Sequence, residues 1–545
     1  MENAYDVIII GAGPNGLEAG AYLARAGSKV LVLEKRYEGG GGLATEEVTF
    51  PGFLHNTHAV YMMMVDFAPI YQDFKLEAEY NCKHIHPELQ FALPLSDGRC
   101  VCLYTDVEKT CANFAQFSKK DAESYREFCK LAEQCMDEFI GPATYAPPSP
   151  LLEAVVKMQS NDVGRTVMEY SEMTALDIVH RHFENEHIRA LMLYVACHWG
   201  VDYNQSGLGY LVLLYLNRAI NYRLVRGGSH MVAQSLIKII HEHKGVTINN
   251  VRIKRILMEN GAARGVELTD GTIYRGKAII STADPHQTFF NLVGKEHLSD
   301  ELTEMLESYQ WEKHSLLGIH LAMEHPPRFT AADSNPDIEK AFVHILGMET
   351  EEEVIKEFDA VYNGELQSEA HYNCCFPSVL DPSQLIAPVS PGRCTGLLSR
   401  LAPYDLAEGG SDRWYNFKFK QELVKAGLAT LQKYAPNIDE DNILWHYVST
   451  PVDVENKFPS MVKGGIKHGA YAPLQMGYNR PNHECSTTKT PVENLYLGGA
   501  SCYPGGLVIW GAGYNAANRV AEDLGIDKWW QEPPGVTKAR ESGLI

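Results

Sequence analysis

Across 545 residues there is no CxxC pair, no zinc-type ligand spacing, no apolar run long enough for a bilayer and no basic excess. Twelve cysteines are present, at 82, 100, 102, 111, 129, 135, 197, 374, 375, 394, 485 and 502. Their spacing excludes a thioredoxin-like motif and points to no metal site; reduced thiols in a reducing compartment are expected. A redox role for the adjacent Cys374 and Cys375 would require a strained bridge. Lys and Arg number 48 against 69 Asp and Glu, a net charge of −21, which argues against a nucleic-acid partner and against broad attraction to anionic membranes. The longest apolar run, Gly207 to Leu216, is too short to span a lipid bilayer and reads as a buried helix. The first strand starts at Tyr5, leaving no room for a signal or transit peptide. A cytoplasmic location is expected, with peripheral membrane contact left open. With 45% hydrophobic and 21% charged residues the chain can bury a large core, and its length calls for two domains.

The informative segment is Tyr5 to Lys35, YDVIIIGAGPNGLEAGAYLARAGSKVLVLEK. An apolar strand runs into Gly11, Gly13 and Gly16, continues as an Ala-rich helix and returns as a second strand ending in Glu34. Gly11 permits the tight turn, Gly13 lets backbone approach a pyrophosphate, and Gly16 lets helix and strand pack closely. The helix start, at Pro14 and Asn15, offers unpaired amides to the anion, and Glu34 is placed to accept from a ribose, with Lys35 beside it.

Beyond Glu34 the chain reads GGGGLATEEVTFPGF, with Gly40, Gly41, Gly42 and Leu43 followed by Thr45, Glu46, Glu47, Pro51, Gly52 and Phe53. This loop resembles that of the phytoene desaturase, carotenoid isomerase and retinol saturase group of flavoproteins, within the amine-oxidase superfamily. A second resemblance lies at Asn494 to Leu524, NLYLGGASCYPGGLVIWGAGYNAANRVAEDL. It departs from the family pattern with Tyr503 where His is common and Leu507 where a third Gly is usual. The resemblance implies an α/β fold: a Rossmann-like FAD-binding domain assembled from discontinuous segments, 1–65, 225–295 and 490–526, with a second α+β substrate domain from 66–224 and 296–489 and a tail at 527–545. It further implies FAD with a main-chain contact to adenine at Val251; no typical covalent-attachment signature is evident, so the FAD is expected to be held non-covalently, with Cys502, close to the expected flavin position, as the first suspect otherwise. The C-terminal glycine turn, with Gly499, Ala500, Gly506, Leu507 and Val508, would complete the cofactor site. The helix from Gly511 would aim its N-terminus at flavin N1 and stabilise negative charge there.

Strands with β-turns at Glu259-Asn260-Gly261 and Asp270-Gly271 are expected, as is a helix starting near Ser118 and Asp121. Catalytic candidates on family-matched loops are His58, His468, Tyr503 and Trp510. The expected activity is that of an FAD-dependent oxidoreductase acting on carbon–carbon bonds of an apolar, isoprenoid or polyene-like substrate, by desaturation or redox-neutral isomerisation. The electron acceptor is left open, a quinone, oxygen or another acceptor. A flavin amine oxidase and a flavin-binding scaffold for a protein partner stand as alternatives, and the oligomeric state is left open.

Overall fold

The strand from Ala4 to Ile10 (β1) is buried from Val7 onward on both faces, which is why it reads as an unbroken apolar run. The protein is described by a computed structural model over residues 4–367, 371–387 and 389–545. β1 leads into helix α1 (Pro14–Arg25) and strand β2 (Val30–Leu33). The domain resumes with α2 (His230–Glu242), β3 (Val246–Ile248), β4 (Ile253–Glu259), β5 (Ala262–Leu268) and β6 (Ile273–Ser281). It closes with β7 (Leu495–Leu497) and α3 (Gly511–Leu524). The strands form one seven-stranded sheet in the order β4-β5-β6-β1-β2-β3, with β7 on β6. β6, β1, β2 and β3 run parallel, as does β7, whereas β4 and β5 form an antiparallel flap. The flap turns where Asn260 and Gly261 both take positive φ. α1 packs against both α2 and α3, bringing three distant segments together beside the glycine turn.

A second seven-stranded sheet has the order Ile443–Ser449, His314–Met323, Cys394–Pro403, Tyr372–Cys375, Val343–Leu346, Leu89–Pro94, Cys100–Tyr104. It is antiparallel except where Val343–Leu346 meets Leu89–Pro94. Helix Phe417–Tyr434 covers one face, with Gly427 seated close to Ile319 and Leu398. Cys374 and Cys375 point to opposite faces of their strand, into two separate cores, and both are free thiols. A redox couple between them is therefore ruled out in this fold.

A helical layer lies beside this second sheet. Ser118 caps helix Lys119–Cys135 by accepting from the Asp121 amide. The apolar run becomes helix Gly209–Ala219, buried along nearly all its length. Among the described residues no helix is long and apolar enough to cross a membrane.

Residues 527–545, expected as a C-terminal tail, include Trp529 and Trp530, which pack on α1. Trp529 stacks on Tyr22 of α1, donates its indole N–H to the Tyr22 carbonyl (3.1 Å) and lies under the Arg25 guanidinium at 3.7 Å. Trp530 is buried against the same Tyr22 ring. Trp530→Ala should therefore cost about 3–5 kcal/mol, as for a core tryptophan. Denaturant unfolding checks this, and a loss below about 1 kcal/mol, typical of a surface change, would show the tail to be dispensable.

Candidate active site

One cavity of 610 Å³ runs from the glycine turn after β1 to the second sheet. At its first end Gly11 holds φ +96°, and a side chain there would overlap Thr282 Oγ1. Gly16 packs so closely on the Gly11 carbonyl that no Cβ fits, which locks α1 against β1. Gly13, by contrast, has no atom within 4 Å of where its Cβ would stand, and no side chain caps the helix that starts beside it. The open cradle and uncapped amides suit an anion. Gly41 nests against it, its Cβ position 3.0 Å from Gly13 Cα. Glu34 clamps the turn: its carboxylate accepts from the Ala12 amide (2.8 Å) and the Arg36 amide (2.8 Å). A carboxylate offers about four lone-pair sites, so capacity remains for ribose hydroxyls.

Pro14, Asn15, Lys35, Gly42 and Val251 share this lining, and the Val251 amide donates to the Glu34 carbonyl (3.0 Å). Ala500, Leu507 and Val508 of the C-terminal turn line it from the other side. Gly16, Gly40, Leu43, Gly499 and Gly506 stand behind the wall instead. Gly40 sits against Leu43, Gly499 against the Thr282 carbonyl, and Gly506 against the Lys467 backbone. Their smallness shapes the wall rather than facing the cavity.

His58 and His468 both line the cavity, with His58 Nε2 and His468 Nδ1 unpaired. Burial, with help from Lys457, holds His58 well below the usual imidazole range, and burial with Arg480 brings His468 down to about 4. Both rings are neutral at physiological pH. Tyr503 and Trp510 are directed elsewhere. The Trp510 indole is buried and donates to the Tyr71 hydroxyl (3.1 Å). Tyr503 donates to the Ala143 carbonyl (2.6 Å) and faces a second cavity bounded by Tyr145, Tyr514 and Trp530. The Cys502 thiol is outside the cavity lining, and burial pushes it up to about 11.

The far end of the cavity is apolar, as an apolar substrate requires, but the sequence analysis does not identify the residues that form it. Tyr61, Met63, Trp199, Leu316 and Leu397 form it, interrupted by His320, Ser399 and Ser449. The only advance signal was the alternation of Leu316, Gly318 and His320 in HSLLGIHLAM.

Behind the turn lies a fully buried ion pair, Lys467 Nζ to Glu312 Oε1 at 2.7 Å, each side chain 1% exposed. Lys467 also donates to the Trp199 carbonyl (2.9 Å), and Arg480 to the carbonyls of Lys467 (2.7 Å) and Ala500 (3.2 Å). Glu312→Gln would strand a buried ammonium and should cost about 3–5 kcal/mol. The pair Glu312→Leu with Lys467→Met should recover part of that loss. Thermal unfolding checks both, and an unchanged melting temperature in Glu312→Gln would refute the assignment.

Comparison with known proteins agrees with this geometry. The model of the flavin-containing amine oxidoreductases matches residues 16–524. One of the limonene dehydrogenase polypeptides of Castellaniella defragrans is 41% identical over 99% of this chain and 98% of its own length. The lycopene-forming phytoene desaturase of Pantoea ananas is 23% identical over 95% of this chain and 99% of its own. Among solved structures, cyclohexylamine oxidase from Brevibacterium oxydans superposes with a TM-score of 0.57 at 16% identity, covering 96% of this chain and 99% of that one. A strand–glycine-turn–helix cradle, an acid at the end of the second strand and a family match over nearly the whole chain have one reading: the protein belongs to the flavin-containing amine oxidoreductase family.

Proposed function

We propose that the chain is an FAD-dependent dehydrogenase acting on carbon–carbon bonds of an apolar, isoprenoid-type substrate, with the cofactor held non-covalently. The observation that carries this is the cavity itself: a dinucleotide cradle opens into an apolar chamber, and among the described residues Glu34 at the cradle end is the only carboxylate in the lining. A basic amine would find no counter-charge in the chamber, which favours an apolar substrate over the amine-oxidase alternative. The relatives named for limonene and phytoene support the same choice.

Bound FAD supplies two-electron acceptance from a C–H bond. The chain's own groups do the rest. The amides at the start of α1 hold the pyrophosphate beside Gly13, and Glu34 holds the ribose. Leu507 and Val508 press on the cavity from the C-terminal turn. His58 and His468 present unpaired nitrogens that can meet a substrate or a proton in transit, while Tyr503 and Trp510 anchor the turn from behind. The same residues serve net desaturation, with electrons passed to a quinone or oxygen, and a redox-neutral isomerisation. Cys502, a protonated thiol outside the lining, supports non-covalent attachment. Helix Leu151–Gln159 has no buried residue and exposes Leu151, Leu152 and Val156, which supports cytoplasmic protein in peripheral contact with the lipid that dissolves such substrates.

Purified protein should be yellow, and acid precipitation should release FAD into the supernatant; colour in the pellet would overturn non-covalent binding. Gly13→Asp sets a carboxylate into the cradle and should give colourless protein. Glu34→Ala should weaken FAD by about 1.5–3 kcal/mol, the range for hydrogen bonds to a charged group. Anaerobic incubation with terpenes, polyenes and amines should bleach the flavin with the first two classes, and bleaching by amines alone would sink the substrate reading.

A further inference from the structure

The chamber wall opposite the glycine turns is the second sheet, and strand register decides which side chains it shows. In His314–Met323, Gly318 pairs with Ser399 on one neighbour and Ser449 on the other, while His320 pairs with Leu397 and Tyr447. Alternate residues share a face, so Leu316, Gly318 and His320 look into the chamber together with Leu397, Ser399 and Ser449. The result is one polar spot, His320 beside the row Ser399, Gly318 and Ser449, on an otherwise apolar wall.

His320 is 1% exposed, and among the described residues neither of its ring nitrogens has a hydrogen-bond partner. A neutral imidazole offers one donor and one acceptor, and leaving either unmade in a buried site is unfavourable because its hydration is lost without replacement. Its ring neighbours do not meet that need: His55 lies edge-on at 5.4 Å between centroids and Tyr447 at 6.0 Å. Burial first, and then the Lys457 ammonium, bring the ring to about 4, so it stays neutral. The approach to Nε2 is kept clear by the absence of a side chain at residue 318. A Cβ there would stand 3.6 Å from His320 Nε2 and 3.4 Å from Leu397 Cδ1, in the space a ligand atom would use.

We propose that His320, with Ser399 and Ser449 flanking Gly318, receives a single oxygen on the substrate. The molecule taken is then an apolar isoprenoid skeleton bearing one hydroxyl or carbonyl group, rather than a bare hydrocarbon. This rests on the reading above that the apolar chamber holds the substrate. His320 is a specificity-determining residue here: it pairs with the oxygen and fixes which end of the skeleton lies on the sheet.

The test is binding to the flavin-loaded protein, read from perturbation of the flavin spectrum, for matched pairs of equal skeleton: limonene with carveol, farnesene with farnesol, neophytadiene with phytol. In at least one pair the alcohol should bind ten-fold or more tighter than the hydrocarbon. His320→Leu, close in volume, should bring that ratio near one while the melting temperature and flavin spectrum are retained. Gly318→Ala, which leaves the imidazole in place and fills the space before it, should reduce the ratio as well and stands in if His320→Leu does not fold. Hydrocarbons binding as tightly as alcohols in every pair, or an undiminished ratio in the variants, would overturn the proposal alone. Failure of all six compounds to bind would overturn the substrate reading beneath it too.

Discussion

The contact on which the site depends is the buried pair of Lys467 and Glu312. Glu312 stands just before the strand His314–Met323 that floors the chamber, and Lys467 reaches the carbonyls of Trp199 and Gly200 at the end of the helical layer. Arg480 ties the Lys467 backbone to Ala500, and Gly506 is seated on Lys467 itself. Four stretches of chain thus meet at one pair of desolvated charges. Such a pair adds little net stability compared with apolar packing, but its geometry is unforgiving because neither charge tolerates losing the other. That intolerance suits a joint whose position sets the shape of a cavity between domains. Arg480 leaves the cluster with two cations to one carboxylate, a buried positive excess behind the turn that favours negative charge on the cavity side.

The joint also supports strain. Leu507, Val508 and Trp510 hold φ values of +69°, +55° and +66°. For non-glycine residues, and above all for β-branched Val508, such angles are rare and cost of order 1–3 kcal/mol each. Surrounding bonds hold them: the Gly506 amide donates to the Tyr471 hydroxyl, Tyr145 donates to the Ile509 carbonyl, and Trp510 donates to Tyr71. The related flavoproteins' usual glycine at the Leu507 position becomes intelligible, since glycine adopts this φ without strain. Leu507 gives up that ease and places a side chain on the cavity wall.

What the sequence made legible is what is local. The spacing of Gly11, Gly13 and Gly16, the acid at Glu34, the Ser118 cap, the Asn260-Gly261 turn and the start of α3 at Gly511 each depend on neighbours within a few residues. His320, Ser399, Ser449 and Trp199 come together only through strand register and the docking of a helix end, which no local pattern encodes. Tyr503 and Trp510 show a different limit. Nearness to a glycine turn does not tell which side of it a ring falls on, and the left-handed backbone at Trp510 accompanies an indole bonded to Tyr71, away from the cavity. The C-terminal stretch shows a related limit: Trp529 and Trp530 are held in place by packing on Tyr22, more than five hundred residues earlier in the chain.

One cause links the neutral histidines to the choice of substrate. At the cradle end the cavity has amides, Glu34, Lys35 and Arg36; beside the second sheet the charged side chain that pushes His320 down is Lys457. Lys457 is committed to Glu46 and Thr57, and against the upward push of burial Lys457 and Thr57 hold the Glu46 carboxyl below its ordinary range. A proton on His58 or His320, or an ammonium on a ligand, would be a cation in a buried, low-dielectric space where the Glu46 carboxylate is already paired with Lys457, and both are disfavoured for the same reason. The chamber that keeps its imidazoles neutral is in consequence one that turns away charged amines, while a neutral oxygen can still take the hydrogen bond those imidazoles leave unmade.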